Sequence, residues 1–541
     1  MKVAVIGGTG TFGSRLVQLL VRDGHEVIIA ARTFSAAQAL AREMGASAMS
    51  FDRAGDHAPL WAQGPDVVVD AAGPFHAYGA DPYALPKACI DHGVHYLDLA
   101  DDADFCAGIA TLDDAARAAG VFVLSGLSSV PAISSAAVAA LAKDAIEIDE
   151  ISSAILPGNR APRGRAVVES ILHQSGTAFE APVDGLPRPI RSWSQPETFD
   201  LGAGMRRRGW MIVVPDQTLF AAYFGARSVD FRAGLELGVM NHALAVLSWM
   251  RGWRHFAIRP WFVSAILRLA ALLGPFGSDR GGMSVTVKLR SADGWETRNW
   301  RMRVLNGDGP FIPAVAARAV LRKPTQISSG ARAALCVVPL DDISTAMADL
   351  SVVTEMVTGP CVPVFAGFLG AAMDELPATV ASVHDVIGPR VWAGRGQVKR
   401  GRGLWSRLLA RLFGFPPAAD NIAVEVLMVP SGDGETWERR FGDRRFRSHL
   451  RQAAGEMTER FGPFTFTLDL HVKDGALHFP VKRGRLGPLA IPRALLPIST
   501  AREFAQDGKF HFDVALHAPV TGALMVHYQG WLERAADRAT A

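Results

Sequence analysis

A glycine-rich turn between a short apolar strand and an amphipathic helix stands at the start of the chain, and this feature most constrains the fold. The strand is Val3-Ala4-Val5-Ile6, the turn is Gly7-Gly8-Thr9-Gly10-Thr11-Phe12-Gly13, and residues 14–21 carry apolar residues at helical spacing. Such a turn needs glycine where the backbone takes positive φ, where it approaches a pyrophosphate, and where the helix packs on the strand. A pyrophosphate would accept hydrogen bonds from the free N–H groups of the first helical turn.

A second predicted strand, about twenty residues further on, supports dinucleotide binding and indicates which dinucleotide binds. Residues 26–31 are followed by Arg32 and Thr33, whereas an NAD site places Asp or Glu there to bind the ribose 2′-OH. Arginine suits a 2′-phosphate, so the sequence predicts NADP(H); the alternative is that Arg32 is a solvated residue at a strand end. The predicted cofactor-binding residues are Gly7, Thr9, Gly10, Thr11, Phe12, Gly13, Arg32, Thr33, Ala72 and Gly73.

Length and composition limit the class of protein. A chain of 541 residues is too long for one hydrophobic core and predicts two to four domains. The net charge of +3 arises from interspersed charges of both signs, so no nucleic-acid partner is expected. The four cysteines are far apart and form no CxxC pair, which favours a reducing cytoplasm without disulfides or a zinc site. Neither a signal peptide nor an apolar run of membrane-spanning length is expected.

Alternating strands and helices continue over residues 1–140. Further strands are predicted at Ala48–Phe51, Asp66–Asp70, His95–Leu99 and Val121–Leu124, each preceded or followed by helical periodicity. This alternation predicts an α/β fold with a doubly wound parallel Rossmann sheet of six strands. The small residues Ala71-Ala72-Gly73 follow the fourth strand, where they let a flat cofactor lie against the backbone.

Four sequence patches in this region resemble the NADP-binding domain of saccharopine dehydrogenase-like oxidoreductases. They are the opening turn 7–13, Ala71-Ala72-Gly73-Pro74-Phe75, residues 88–98, and Gly126-Leu127-Ser128-Ser129-Val130-Pro131. The resemblance implies a Rossmann domain that binds NADP(H), oxidoreductase activity and a second α+β domain. The chain departs from the family pattern at Ala100-Asp101-Asp102, where Gly-Glu is common, and at Leu127-Ser128-Ser129, which replaces Phe-Asp-Ser. An amino-acid substrate is therefore not implied.

The rest of the chain predicts two further domains. Residues 141–360 are expected to form an α+β substrate or cover domain with an antiparallel sheet, whose strands include Ile146–Ile155, Met211–Val214, Val285–Leu289 and Arg298–Val304. Residues 366–541 resemble a C-terminal domain of unknown function that occurs fused to saccharopine dehydrogenase-like domains. Here we expect a linker at 394–403, a helix at 404–412 and then a mainly antiparallel, curved β-sheet. Whether this sheet encloses a ligand or only packs on the reductase is left open.

Candidate catalytic residues come from the expected chemistry, because hydride transfer to C=O or C=N needs a proton donor near the nicotinamide. Five titratable side chains fall at the ligand-facing edge, and Tyr96 and Asp98 are selected from His76, Tyr78, Tyr96, Asp98 and Asp101. Tyr83 and Lys87 match the Tyr-x-x-x-Lys pattern of short-chain dehydrogenases, but they follow the fourth strand instead of the fifth, so the match is interpreted as coincidence. The scattered histidines of the last domain lack ligand spacing, and no metal is expected.

The insertion 241–278 indicates a location. It contains no Asp or Glu, carries Arg251, Arg254, Arg259 and Arg268, and interleaves tryptophans with aliphatic residues. This pattern is typical of interfacial helices and predicts peripheral association with the inner face of the cell membrane. A homodimer interface, or burial against the substrate domain, is the alternative.

Together these features predict an NADP(H)-dependent oxidoreductase acting on a small molecule of hydrophobic or lipid-like character. The alternative is a non-catalytic NADP(H)-binding protein whose C-terminal domain binds a ligand or partner.

Overall fold

The computed structural model describes residues 1–162, 164–254 and 256–536, which divide into two compact units. Unit 1 comprises Met1–Pro182, Pro187–Ala292 and Thr297–Gly359. Unit 2 comprises Val183–Leu186, Asp293–Glu296 and the chain from Pro360 onward. The predicted domains 1–140 and 141–360 thus belong almost entirely to one compact unit, and 366–541 belongs to the other.

The first part of unit 1 alternates strands and helices, as the sequence predicts. Its strands are β1 (Lys2–Ile6), β2 (Glu26–Ala31), β3 (Ser47–Ser50), β4 (Val67–Asp70), β5 (His95–Asp98) and β6 (Phe122–Ser125). Its helices are α1 (Gly13–Arg22), α2 (Phe34–Met44), α3 (Ala58–Trp61), α4 (Ala84–Asp91), α5 (Ala103–Gly108), α6 (Asp113–Ala118) and α7 (Ser134–Leu141).

The second part of the chain adds a further set of elements. They are β7 (Glu147–Leu156), α8 (Arg165–Gln174), β8 (Ala178–Val183), β9 (Leu186–Arg191), β10 (Glu197–Asp200), β11 (Arg206–Met211), α9 (Pro215–Phe224), β12 (Ser228–Ala233), α10 (Gly238–Trp253), α11 (Pro260–Leu272), β13 (Gly281–Ser291), β14 (Gly294–Val304), α12 (Ile312–Arg322), β15 (Gly330–Ala333), α13 (Leu340–Ala346) and β16 (Val352–Pro360).

The doubly wound Rossmann prediction is confirmed. The first sheet has the order β3-β2-β1-β4-β5-β6-β15, and its neighbouring strands all pair in parallel. The sequence predicts six of these strands and misses β15, which arrives from about two hundred residues later and pairs with β6.

The second sheet of unit 1 has the order β10-β11-β12-β7-β13-β14-β16. It is mixed instead of purely antiparallel as expected, because β12 runs parallel to β7 while β13 runs antiparallel to it. The strand expected at Met211–Val214 lies earlier, since β11 ends at Met211 and Pro215 begins α9. Residues of α7 and α12 share one apolar core with faces of both sheets.

Unit 2 is built around one long antiparallel sheet. Its elements are α14 (Val364–Leu369), α15 (Ala378–Ala381), β17 (Arg390–Arg400), α16 (Leu404–Leu412), β18 (Ala419–Ser431), β19 (Gly434–Phe441), β20 (Arg444–Ala453), β21 (Glu456–Phe461), β22 (Phe464–Leu468), β23 (His471–Lys473), β24 (Ala476–His478), β25 (Val481–Leu486), β26 (Leu489–Ala490), β27 (Ile498–Gln506), β28 (Lys509–His517) and β29 (Leu524–Arg534). The strand order is β23-β24-β27-β28-β29-β17-β18-β19-β20-β21-β22-β25-β26.

This sheet confirms the mainly antiparallel C-terminal domain and corrects the linker predicted at 394–403. Residues up to Arg400 form β17, which pairs with both β18 and β29 in the middle of the sheet. Its glycines allow close strand contact, because a Cβ on Gly530 of β29 would lie 2.7 Å from the Cα of Gly396. Helix α16 occupies 404–412 as predicted.

Candidate functional site

The carboxyl ends of β2, β1 and β4 meet at one edge of the first sheet, because these strands are parallel neighbours. The turn after β1 starts at Gly7, whose φ is +71° and whose N–H donates to the Ala30 carbonyl at 2.9 Å. A Cβ at Gly7 would lie 2.6 Å from the Cα of Ala72, and one at Gly13 would collide with the Gly7 carbonyl. Both positions therefore require glycine, and the turn lies directly against the end of β4.

The structure brings the three groups of predicted cofactor-binding residues to this same edge. They are the turn from Gly7 to Gly13 with Thr9, Gly10, Thr11 and Phe12, the pair Ala72-Gly73 after β4, and the pair Arg32-Thr33 after β2. Arg32 is exposed, and within the described ranges its guanidinium has neither a hydrogen bond nor an ion pair. The turn and the end of β4 form a cradle without side-chain obstruction, as a dinucleotide site needs, and Arg32 lies at the same edge.

An apolar pocket of about 290 Å³ adjoins this edge within unit 1. The Rossmann part contributes Phe12 from the glycine turn, Asp101 after β5, and Ser129 and Val130 after β6. The second sheet contributes an apolar wall that includes Ile155, Phe231, Met283, Met302 and Val304. A molecule in this pocket would contact the glycine turn on one side and hydrocarbon side chains on the other.

A buried polar cluster is centred on the carboxylate of Asp70, the last residue of β4. Its Oδ2 accepts from Arg53 Nε at 2.7 Å, and its carboxylate oxygens are 3.2 Å from the Tyr78 hydroxyl and 3.5 Å from the Tyr96 hydroxyl. The Arg53 guanidinium stacks on the Tyr78 ring at 3.4 Å. Burial, together with the nearby carboxylates, raises the pKa of both tyrosines, so their hydroxyls stay protonated and act as donors.

Asp70 and Arg53 are not among the site residues that the sequence predicts. The available signal was an acidic residue ending an otherwise wholly apolar strand, because such a carboxylate needs a buried partner. The partner is supplied by Arg53, in the loop after β3, which no local pattern connects to β4.

Asp98 ends β5 and is completely buried. Its Oδ1 accepts hydrogen bonds from Gly126 N at 2.7 Å, Ala100 N at 3.0 Å and Ser125 Oγ at 3.0 Å, whereas Oδ2 has no partner among the described residues. Burial raises the pKa of Asp98 to about 7, although these three donors oppose the shift. The carboxyl group therefore titrates near neutral pH, which is the range suited to proton transfer.

The predicted catalytic residues Tyr96 and Asp98 are both fully buried, and neither lines the apolar pocket. Their catalytic role stays a prediction. Asp101 is the member of the five candidates that lines the pocket. Tyr83 and Lys87 are engaged elsewhere, since Tyr83 donates to the Phe105 carbonyl at 2.9 Å and Lys87 pairs with Asp81 at 3.0 Å. Over the described ranges, no three His, Cys, Asp or Glu side chains are arranged to hold a metal.

The predicted insertion forms helices α10 and α11, which have a packed and an exposed side. Val263 of α11 packs with Val168 and Leu172 of α8. The two helices and the segments next to them expose ten large apolar residues, namely Val239, Val246, Trp249, Met250, Trp253, Phe256, Trp261, Leu269, Leu272 and Phe276. We call these ten residues the exposed apolar face. None of the described helices has the length and apolar content needed to cross a bilayer.

One arginine of the insertion is buried instead of exposed as the sequence predicts. Arg251 is buried, and its Nη1 donates to the carbonyls of Leu172 at 2.6 Å, His173 at 3.0 Å and Ser175 at 2.6 Å. It caps the carboxyl end of α8 and so cannot meet lipid phosphates as expected. Arg254, Arg259 and Arg268 remain exposed.

In comparisons with known proteins, one family model matches part of unit 1 and another matches part of unit 2. Residues 3–124 match the family model of the saccharopine dehydrogenase NADP binding domain, and residues 376–532 match that of a domain of unknown function, DUF4166. No curated protein matches the chain.

Similar solved structures include an apo, histidine-tagged saccharopine dehydrogenase (L-Glu forming) from Saccharomyces cerevisiae. It is 14% identical, with 66% of this chain and 99% of that chain covered and a TM-score of 0.49. GenD2 from gentamicin A biosynthesis, in complex with NAD, is 14% identical over 55% of this chain and 71% of its own, with a TM-score of 0.28. The family models thus identify a region similar to the saccharopine dehydrogenase NADP binding domain at the start of the chain and a region similar to a domain of unknown function in its last part.

Proposed function

We propose that the protein is an NADP(H)-dependent oxidoreductase whose substrate is a hydrophobic small molecule bound in the apolar pocket of unit 1. The observation that carries this proposal is the lining of that pocket, which combines Phe12 of the glycine turn with an apolar wall. A substrate held there lies beside the carboxyl edge of the parallel sheet, where ligands of such folds bind. Apart from Asp101 and Asp279 the lining carries no charged side chain, which favours a largely apolar substrate.

The chain's own residues supply binding, water exclusion and a proton. The glycine turn receives the pyrophosphate, and Arg32 meets the 2′-phosphate with a charge-assisted bond. The bound nicotinamide supplies the hydride chemistry. Asp101, which lines the pocket, is proposed to donate the proton to the substrate oxygen or nitrogen. Tyr96 and Asp98 are proposed as positioning residues behind that edge, because both are fully buried.

The choice of NADPH over NADH is tested by titrating each cofactor into the intact protein and the Arg32→Ala variant. Loss of a charge-assisted hydrogen bond should cost about 1–3 kcal/mol of NADPH binding and leave NADH binding nearly unchanged. Arg42→Ala, an exposed arginine on the following helix, is the matched control. An equal loss for both cofactors would refute the 2′-phosphate assignment.

Turnover is tested by following NADPH oxidation with medium-chain aldehydes and ketones, and NADP reduction with the matching alcohols. Ala233→Phe should fill the pocket and abolish turnover while leaving NADPH binding intact, because Ala233 lines the apolar wall. Asp101→Asn should lower kcat more than Tyr96→Phe does. If cofactor binds but no compound is turned over, the non-catalytic alternative is supported.

We also propose that the exposed apolar face of α10 and α11 associates with an anionic bilayer. Trp253, Trp261 and Phe276 are 83%, 67% and 74% exposed, and burying such side chains in the interface is favourable. The exposed Arg254, Arg259 and Arg268 would each add about 1 kcal/mol near lipid phosphates. Three arginines can therefore reach lipid phosphates instead of the four expected, because Arg251 is buried.

Liposome co-sedimentation tests this association with anionic vesicles at low and high salt. The intact protein should pellet and should release with salt, whereas a variant with Trp249, Trp253 and Trp261 changed to Ser should stay in the supernatant. If the intact protein stays in the supernatant and instead forms a stable dimer that the variant loses, the face is a subunit interface.

A further inference from the structure

The sheet of unit 2 curls around a cavity of about 110 Å³. Phe466 of β22 and Ala501 of β27 line the same space although they lie near opposite ends of the strand order. The chain between β24 and β25 joins these ends, because Phe479 N donates to the Ala501 carbonyl at 3.2 Å and Val481 N donates to Ser499 Oγ at 2.7 Å. The interior is thus enclosed by inward-facing side chains of the sheet.

Most of the lining is aliphatic or aromatic, and it includes Val426, Met428, Phe441, Phe510 and Phe512. One side is covered by the segment that follows α16. Its Phe413 ring lies 5.1 Å from Phe464, and its Phe415 ring lies 5.9 Å from Phe446. Filling an apolar cavity of this kind with a hydrocarbon is favourable, because it removes apolar surface from water.

The charged groups of the lining already have partners. Arg439 Nη2 lies 3.2 Å from Glu459 Oε1, and its Nη1 donates to Ser448 Oγ at 2.7 Å. Glu503 is bonded to His384 Nε2 at 2.7 Å. The lining therefore presents two carboxylates against one guanidinium, and that guanidinium is already paired. An anionic head group would meet net repulsion here, whereas a neutral one would not.

Tyr528 carries a polar group of the lining that a ligand can use. Its side chain lines the cavity and is only 9% exposed, with its ring packed 5.4 Å from Phe441. Within the described part of the chain its hydroxyl has no hydrogen-bond partner. Burial raises the pKa of Tyr528 to about 12, so the hydroxyl is neutral and can both donate and accept. A ligand oxygen would satisfy it.

We propose that the interior of unit 2 binds a neutral medium-chain molecule whose one hydroxyl or carbonyl group hydrogen-bonds to Tyr528. A water-sized group needs about 10–15 Å³ of such space, so the cavity holds a chain of roughly eight methylene-sized groups. The ligand class is therefore an alkyl or short isoprenoid alcohol, aldehyde or ketone. This proposal is independent of the reaction proposed for unit 1.

Calorimetric titration of the full chain with 1-octanol and with octanoate tests the proposal. We expect saturable binding of 1-octanol and at least tenfold weaker binding of octanoate, because the carboxylates of Glu459 and Glu503 disfavour an anion. Octanoate binding as tight as 1-octanol, or no saturable binding of 1-octanol, would overturn the proposal.

Matched variants locate the site. Ala501→Phe places a ring in the cavity and should abolish 1-octanol binding, whereas Thr500→Phe, the exposed neighbour on the opposite face of β27, should leave it intact. Val481→Phe, at another lining position, gives the same test if Ala501→Phe fails to fold. Ala233→Phe, which fills the pocket of unit 1, should not affect this site. Loss of the site in Ala233→Phe but not in Ala501→Phe would contradict the proposal.

The role of the hydroxyl is tested with Tyr528→Phe. This change should weaken 1-octanol binding about 3- to 10-fold, as expected for one hydrogen bond. Binding of n-hexane, which has no polar group, should be unchanged. An equal loss for both compounds would show that Tyr528 acts only by packing.

Discussion

The two units enclose apolar space in different ways, and the difference follows from strand direction. In unit 1 the pocket lies at the carboxyl edge of a parallel sheet, whose central strand β4 is buried along its whole length. Both faces of such a sheet are covered, so a ligand reaches only the edge. In unit 2 the cavity lies on one face of an antiparallel sheet that curls around it.

This difference decides which parts of the chain contact a ligand. A dinucleotide at the edge in unit 1 would be contacted by backbone amides and short side chains after the strands, where Gly7 and Gly13 are required. Inside unit 2 the contacts come from alternate side chains along each strand, as in Trp437, Arg439 and Phe441 of β19. Substitutions should therefore affect the two units by different mechanisms, which the following variants test.

The largest expected effect concerns the stability of unit 2. Asp184 is fully buried, accepts a hydrogen bond from Val391 N at 2.9 Å and pairs with Arg534. Asparagine tolerates the φ of +53° at this position, and its side-chain oxygen can still accept the hydrogen bond from Val391 N. The change Asp184→Asn therefore removes only the charge partner of Arg534. We expect a loss of about 3 kcal/mol, the low end for a broken buried pair, because Arg534 can partly rehydrate.

Calorimetric unfolding with and without NADPH measures this loss and assigns it to a unit. The transition that NADPH does not raise should move to lower temperature in Asp184→Asn, while the NADPH affinity of the variant stays unchanged. A fragment that begins at Pro360 lacks Asp184 altogether and should lose at least as much stability, because Val391 N also loses its acceptor. Weaker NADPH binding in Asp184→Asn would show that the two units are not energetically separate.

The next effect concerns the backbone of the glycine turn in unit 1. In Gly10→Val the side chain would occupy space that the pyrophosphate needs, and its Cβ would lie 3.1 Å from the Gly7 carbonyl. We expect the affinities for NADPH and NADH to fall together by at least about 100-fold, or about 2.7 kcal/mol. Gly238→Val, where an added Cβ meets no atom within 4 Å, is the control. Unchanged cofactor affinity in Gly10→Val would place the nucleotide elsewhere.

The parts of this architecture that sequence could predict are those whose signal is local. The turn from Gly7 to Gly13 carries its own strand, glycines and helix in succession, so its position at the sheet edge followed directly. Helix 404–412 was equally local. In contrast, β15 joins the first sheet only after a long excursion of the chain, and nothing near Gly330 indicates that its partner is β6.

Features that depend on close packing were missed or misassigned for the same reason. Gly394 and Gly396 suggested a linker, because the strand that crowds them begins about 130 residues later. Arg251 looked like a surface charge, but its partners are carbonyls at the end of α8. The pocket of unit 1 draws its lining from Phe12 to Pro313, so its apolar character could not be deduced from any one segment.

The smallest expected effect concerns Asp216, a second buried aspartate, whose surroundings differ from those of Asp184. Asp216, in the first turn of α9, is fully buried, and the nearby Ser134 hydroxyl favours its ionised form although neither carboxyl oxygen has a well-aligned hydrogen bond among the described residues. A helix N-terminus favours the ionised form, but burial outweighs this and raises the pKa of Asp216 to about 8. The folded state therefore binds more protons than the unfolded state between about pH 4 and pH 8, so stability falls as pH rises through this window.

Asp216→Asn should remove this dependence, which for one group with a pKa of about 8 amounts to about 1 kcal/mol between pH 7 and pH 8. Urea unfolding of unit 1 between pH 7 and pH 8 isolates it, because Asp98, with a pKa of about 7, contributes mainly at lower pH. Asp341→Asn, an exposed aspartate in the first turn of α13, should keep the slope of the unmodified protein. If Asp216→Asn keeps the same slope, the folded protein supplies the Asp216 carboxylate with a partner, and the contrast with Asp184 fails.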